Sequence, residues 1–432
     1  MFLCYNIIIM EATLFRLNKH WTGEKYASVH YRSLVDNLMK KKNLPHIQVL
    51  TGIRRSGKSS IFRLMINDLI ESGVEPKEIL FLNMDEPIFT EIWNNSAELY
   101  KIIELTEKTT LFKVKYLFLD EIQQVKDWEL FVKSAYDTQQ FKKIYVTGSN
   151  SDLLQHKFAT LLSGRYFANT VRPFSIKEIL GLHGFTNKFD AISRKSELLA
   201  LIDQYMRWGS FPEIVLNGMD DDIKTELLNS YYESIVLKDC IVYNQVRDAA
   251  LFKRLLHFVV SNVASPFHYS NLAKAIKSNE PSVRSYLAYA TSSYIVSDIT
   301  NFSFSLKEDT RPQHKIYCID NGLMNTIGFR FSPKSGTLLE NSVYNELANA
   351  DYDEIYFSRK SNECDFIAKK GDKYHAFQVC YELNPLNQER ELNGFRTLEK
   401  TLNLSSRTII TYDSETKIED VDIIPFWRFF GI

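Results

Sequence analysis

The run Gly52 to Ser59, GIRRSGKS, constrains this chain more than any other segment. It satisfies the spacing G-x-x-x-x-G-K-[ST], follows the apolar run HIQVL at 46–50 and opens the helical pattern SSIFRLMINDLI. Two glycines let the backbone turn with its N–H groups inward, and a helix N-terminus adds partial positive charge, so the segment predicts a loop that binds polyphosphate largely by backbone. Such a loop needs a sheet behind it. Short apolar runs recur at 79–83, 116–120 and 143–148, separated by stretches long enough for helices, which is the pattern of parallel strands covered on both faces.

The loop residues Gly52, Ile53, Arg54, Arg55, Ser56, Gly57, Lys58, Ser59 and Ser60 are therefore the expected nucleotide contacts, with ATP and Mg²⁺ as the expected cofactors. Lys58 is expected at the β/γ phosphates and Ser59 at the metal. The strand YLFLD ends at Asp120, placed to hold Mg²⁺ through water, and Glu121 follows, placed to orient or deprotonate an attacking water. The run KIYVTGSN brings Thr147, Ser149 and Asn150 to the same sheet edge if the strands are parallel. Ser149 or Asn150 is expected to sense the γ-phosphate, while a helix cap by Ser149 or Ser151 is the structural alternative. Arg165, in LLSGRYF, is a candidate arginine finger acting in cis or from a neighbouring subunit.

Composition sets the frame for these motifs. A chain of 432 residues with 45% hydrophobic content should divide into two or three globular domains. A net charge of -1 excludes a whole-molecule field that would draw it onto nucleic acid or an acidic membrane, so any such binding must be local. Cys4, Cys240, Cys318, Cys364 and Cys380 show no CxxC spacing, which argues against a zinc ribbon or disulfide framework and points to a reducing compartment, the cytoplasm. The amino-terminal MFLCYNIIIM lacks a basic n-region and a cleavage site, so it reads as ordinary or mis-started sequence with Met10 as the alternative start. No apolar run approaches the roughly 18 residues that span a bilayer.

Taken together, TGIRRSGKSS, YLFLDEIQ, VTGSNSDLL, LSGRY, RPFSIKEIL and WGSFPE resemble the prokaryotic AAA-type ATPases that carry a carboxy-terminal domain of uncharacterised function, a group related to the archaeal ATPase and STAND branch. The resemblance runs from about residue 28 to 425. It implies an α/β chain with an AAA-like P-loop NTPase core of the ASCE type, Glu121 as the catalytic acid, and Phe211 and Pro212 near the adenine. A helix-breaking turn is the other reading of GSFPE.

Beyond the core, residues 268–304 read as two short helices followed by alternating strands, with Val283, Leu287 and Ala290 on the inner face of the second helix. The relatives look winged-helical here. In a DNA reader Arg284, Ser285 and Tyr286 would face the groove, with Lys274 and Lys277 on phosphates, but Glu280 and Asp298 thin the charge, and a packing or partner-binding module is the alternative. The last segment resembles the restriction-endonuclease-like fold. Glu340 and Asp365 match its first acids, yet the (D/E)-x-K triplet reads Gln378, Val379, Cys380, so the domain is expected to be catalytically silent unless Glu382 or Lys373 supplies the missing group.

The expected domains are an extension at 1–27, the ATPase core at 28–190, a helical lid or linker at 191–260, a winged helix at 261–332 and an endonuclease-like domain at 333–432. The leading functional expectation is an ATP-hydrolysing switch associated with DNA, a protein partner or further copies of itself. The alternatives are a nucleotide-binding scaffold with negligible turnover and, third, an ATP-gated nuclease.

Overall fold

The computed structural model describes residues 2–27, 29–154, 157–303, 312–328 and 335–432. The chain forms two compact units, Met1–Val171 and Arg172–Ile432. The break precedes the expected end of the core at 190, and residues 172–190 belong to the second unit.

In the first unit β1 (Ile47–Thr51), β2 (Ile79–Asn83), β3 (Tyr116–Asp120), β4 (Lys143–Gly148) and β5 (Tyr166–Thr170) form one sheet in the order β2-β3-β4-β1-β5, all pairs parallel. Every residue of β1, β3 and β4 is buried, as a parallel sheet covered on both faces requires, and the edge strand β5 is half-exposed. On one face Leu117, Leu119 and Val146 share a core with Ile102, Ile103, Phe131 and Val132. On the other, Leu50, Phe81, Phe118 and Tyr145 share a core with Phe62, Met65 and Ile66 of the helix Lys58–Glu71. The rings of Phe118 and Tyr145 stack with centroids 4.3 Å apart. This packing fixes the helix whose first turn closes the phosphate loop.

The stretch expected to be an extension is partly built into this unit. The helix Phe2–Leu17 leads to Leu14 and Trp21, both in the core. Strand β2 is an edge, and its open backbone is met by side chains: Asn18 donates to Phe81 O at 3.0 Å and accepts from Phe81 N at 2.7 Å, while Trp21 Nε1 donates to Ile79 O at 2.8 Å. A sheet edge left open is an aggregation template, and this cover closes it.

The second unit begins with the helices Ile176–Leu182, Lys188–Ser193, Lys195–Trp208, Pro212–Leu216, Asp221–Ser234 and Ala249–Ser261, with a π-helical stretch at Ile235–Val242. The helices Tyr269–Ala275 and Glu280–Ser292 follow; Asn279 caps the second by accepting Ser282 N at 2.9 Å, and Val283, Leu287 and Ala290 are buried. Strands β6 (Val296–Thr300) and β7 (His314–Cys318) pair antiparallel, and Phe267 bridges His314 alongside them. Residues 304–311, between these two strands of the expected wing, lie outside the described residues. After the helices Asn321–Ile327 and Ser335–Asn349 come β8 (Glu354–Arg359), β9 (Glu363–Lys370), β10 (Lys373–Cys380), the helix Gln388–Glu399, β11 (Leu404–Thr411), β12 (Thr416–Ile418) and β13 (Val421–Pro425), in the sheet order β12-β13-β11-β10-β9-β8.

Candidate functional site

The loop between β1 and the helix Lys58–Glu71 takes its shape from its glycines. Gly57 caps the helix at φ 96°, a left-handed conformation that glycine adopts without strain. Gly52 has φ 147°, and a Cβ there would stand 2.1 Å from Val171 O, so only glycine fits between the loop and the end of β5. Ile53 and Ser56 are buried, Arg54 is half-buried and Arg55 is exposed at φ 67°. Arg32, itself buried, donates to Ser56 O at 2.8 Å and braces the loop from behind. The Ser56 hydroxyl is buried without a hydrogen-bond partner. An orphaned hydroxyl on a glycine-flanked loop at a helix N-terminus fits an anion as its missing partner.

Lys58 is 4% exposed, and its ammonium donates to Gly52 O at 2.9 Å and Ile53 O at 3.1 Å, lying back across the loop. Its Nζ is 3.9 Å from Glu121 Oε1. Ser59 Oγ donates to Asp120 Oδ2 at 2.6 Å, so the expected metal hydroxyl and metal carboxylate are already in contact. Strand β4 lies between β1 and β3, and this puts Thr147 where it serves both acids: its hydroxyl donates to Asp120 Oδ1 at 2.5 Å and accepts Glu121 N at 2.9 Å. Burial and the neighbouring Glu121 carboxylate push the Asp120 pKa up to about 6, against the opposing bonds from Ser59 and Thr147 and the charge of Lys58. A divalent cation would supply the charge that buried Asp120 lacks. At this sheet edge the described residues gather no group of three or more His, Cys, Asp or Glu as a metal cage. One carboxylate beside one hydroxyl is the partial donor set that suits Mg²⁺ completed by phosphate and water.

Glu121 leaves β3 in the left-handed region, φ 53°. Its Oε2 accepts Gln123 Nε2 at 2.5 Å, and the same amide nitrogen lies 3.5 Å from Ser149 Oγ. Ser149 and Asn150 are buried at this edge, at 2% and 4% exposure. Ser149 thereby joins the acid side of the site through Gln123, a residue that spacing did not single out. Its only signal was its place two residues after Glu121. Arg32 carried no local signal.

Arg165 does not join this group within its own chain. Its carbonyl accepts Ile47 N, at the start of β1, whereas the loop leaves the end of that strand. A strand of this length separates the two by about 15 Å. The guanidinium pairs instead with Asp137 at 2.9 Å and lies over the Tyr136 ring. The expectation of a finger in cis is corrected by this placement.

The WGSFPE segment belongs to the second unit and has a local explanation. Asp320 accepts Ser210 N at 2.6 Å and Leu323 N at 3.0 Å, and a Cβ on Gly209, at φ 75°, would fall 2.0 Å from its carboxylate. Phe211 is fully buried, its ring 5.3 Å from that of Tyr231, and Pro212 opens the helix Pro212–Leu216. On the helix Glu280–Ser292, Arg284 pairs with Glu280 at 2.7 Å and sits 4.0 Å over the Tyr269 ring. Tyr286 accepts Asp248 N at 3.4 Å and packs on Phe252. Two of the expected groove residues thus already have partners within the chain. Lys274 and Lys277 lie at the end of the first helix and in the turn after it.

Residues 45–180 match the family described as AAA domain, and residues 199–334 and 335–429 match two domains of unknown function, DUF8612 and DUF4143. An uncharacterized protein of Methanocaldococcus jannaschii, MJ1544, is 32% identical over 425 residues, covering 94% of this chain and 91% of its own length. An uncharacterized protein of Haemophilus influenzae is 27% identical over 408 residues, covering 92% of this chain and 97% of its own. Among solved structures, the signal transduction ATPase with a tetratricopeptide repeat sensor from Pyrococcus horikoshii aligns with 76% of this chain and 46% of that one, at 12% identity and a TM-score of 0.29. The parallel sheet, its loop and the AAA match together make the first unit a nucleotide-binding P-loop ATPase domain.

Proposed function

Because this chain belongs to the same family as MJ1544 of Methanocaldococcus jannaschii and carries an AAA-type P-loop domain, we propose that it hydrolyses ATP and uses the nucleotide state as a switch. The observation that supports this most is the convergence of Lys58, Ser59, Asp120, Glu121 and Thr147 at one sheet edge.

In this reading the polyphosphate takes the place that the Gly52 and Ile53 carbonyls hold at the Lys58 ammonium, and the backbone loop and Ser56 hydroxyl hold its oxygens. Ser59 and Asp120 hold Mg²⁺, which when bound offsets the phosphate charge. Glu121 accepts the proton of the attacking water, with Thr147 fixing its backbone and Gln123 its carboxylate. Ser149 reports on the γ-phosphate through Gln123. The switch follows from Gly52 touching Val171, because Arg172 comes next in the chain and starts the second unit. There Arg172 donates to Asn345 at 3.2 Å and Ile176 N donates to Glu346 at 2.7 Å, so a shift of the loop is carried along the chain into the helix Ser335–Asn349.

The internal partners of Arg284 and Tyr286 favour a packing role for the helix Glu280–Ser292 over reading of a DNA groove. The switch is tested by hydrogen exchange on the Glu121→Gln variant, which keeps ATP uncleaved. Residues 171–176 and 341–346 are expected to change protection at least several-fold on adding Mg²⁺ and ATP. Unchanged exchange there, with ATP demonstrably bound, would remove the switch and leave a nucleotide-binding scaffold.

A further inference from the structure

The carboxy-terminal sheet holds a cluster of acids with a cation already inside it. Lys315, on β7, has a side chain 1% exposed, and its ammonium lies 2.7 Å from Glu363, 3.1 Å from Glu340 and 3.7 Å from Asp365. Glu340 comes from the helix Ser335–Asn349, and the other two acids come from β9. Tyr317, also on β7, donates to Glu340 at 2.8 Å. Burial pulls the Lys315 pKa down, and the attraction of Glu340, Asp365 and Glu363 outweighs it and holds the ammonium above its ordinary value.

Around this point the scaffold is fully engaged. Asp365 accepts Val379 N at 2.8 Å with its remaining oxygen, and Gln378 spans the gap by accepting Asp365 N at 2.9 Å while donating to Glu363 O and Glu391 O. A polar cavity of about 530 Å³ opens beside it, edged by Arg359, Lys360, Arg390 and Glu391. Three carboxylates converging from two elements repel one another unless a cation stands between them. Here that cation is an ammonium at contact distance, and no divalent ion at its own bonding distance of about 2.1 Å shares the space with it.

We propose that Lys315 is the resident cation of this site, standing where Glu340, Glu363 and Asp365 would otherwise hold a divalent metal ion, so that the protein excludes the metal and β7 is fastened by charge to the helix Ser335–Asn349 and β9.

The test is titration of the full-length protein with Mn²⁺ alone, without nucleotide, read by the electron paramagnetic resonance signal of free Mn²⁺ and by thermal melting. The Asp120 region is common to all variants and cancels in the comparison. Lys315→Met is expected to gain one saturable Mn²⁺ site with affinity at least tenfold above any in the wild type, to lose it again when Glu340→Gln is added, and to melt higher with Mn²⁺ where the wild type does not. If Lys315→Met does not fold, the double variant Lys315→Met/Glu363→Gln, which leaves two carboxylates for a divalent ion, is read in the same way. A wild-type Mn²⁺ site that Glu340→Gln or Asp365→Asn removes would overturn the proposal. So would Lys315 variants that bind no more Mn²⁺ than the wild type.

Discussion

Glycines and buried acids set the sharpest tests at the scale of single residues. Gly209→Ala forces a methyl group into the Asp320 carboxylate and should cost about 3 kcal/mol or more in denaturant unfolding. A loss below 1 kcal/mol would mean that Asp320 does not hold the Ser210 turn as described. Glu346 is fully buried, and burial is the main cause that raises its pKa to about 8 against bonds from Ile176 N and Tyr205. A raised carboxyl pKa means that the folded state binds the proton more tightly than the unfolded one. Its contribution is therefore complete below pH 4.5 and is lost as the pH rises to about 8, a total on the order of a few kcal/mol. The Glu346→Gln variant should lack this slope, so its stability relative to the wild type should rise between pH 5 and pH 8.5; parallel pH profiles would contradict the assignment. At this scale the glycine turn and the meeting of Lys58, Ser59, Asp120 and Glu121 at one sheet edge were legible because the motif sets residue types at fixed spacing after a strand. Gln123 and Arg32 were not, since an amide two residues past an acid and an arginine well upstream carry no pattern until the fold brings them in.

Elements were legible where burial imposes a period and obscure where the chain makes a local bargain with an edge. Four apolar runs became β1 to β4, and the second helix after residue 278 began at the Asn279 cap with Val283, Leu287 and Ala290 inside. The amino-terminal segment read as an extension because its apolar residues lack strand or leader context, yet Asn18, His20 and Trp21 finish the open edge of β2. Asn18→Ala removes both bonds to the Phe81 backbone and leaves a buried donor and acceptor unmatched, which should destabilise the first unit by about 2 kcal/mol in chemical unfolding. An unchanged midpoint would show that this edge needs no cover. The cis reading of Arg165 failed for a related reason: a glycine-arginine pair next to a strand is common to both ends of a sheet, and only the register Ile47↔Tyr166 shows which end it occupies.

For the molecule as a whole, the sequence divided the chain by motif, while contacts divide it at Val171, between the strand that touches the phosphate loop and the segment held by Asn345 and Glu346. RPFSIKEIL resembles the ATPase half and lies within the AAA match, which runs to residue 180, while its packing partners lie in the second unit. The cation inside the acid cluster was equally hidden, since Lys315 lies on a strand of one module and its three partners on another. The proposed switch requires the first unit to turn ATP over. The most direct measurement is phosphate release from ATP by the purified full chain with Mg²⁺, wild type beside Lys58→Ala and Glu121→Gln, with nucleotide affinity measured in parallel. The geometry predicts turnover in the wild type, loss of both binding and turnover in Lys58→Ala, and retained binding with turnover reduced at least about 100-fold in Glu121→Gln. Wild-type protein that binds ATP but releases no more phosphate than Glu121→Gln would contradict it.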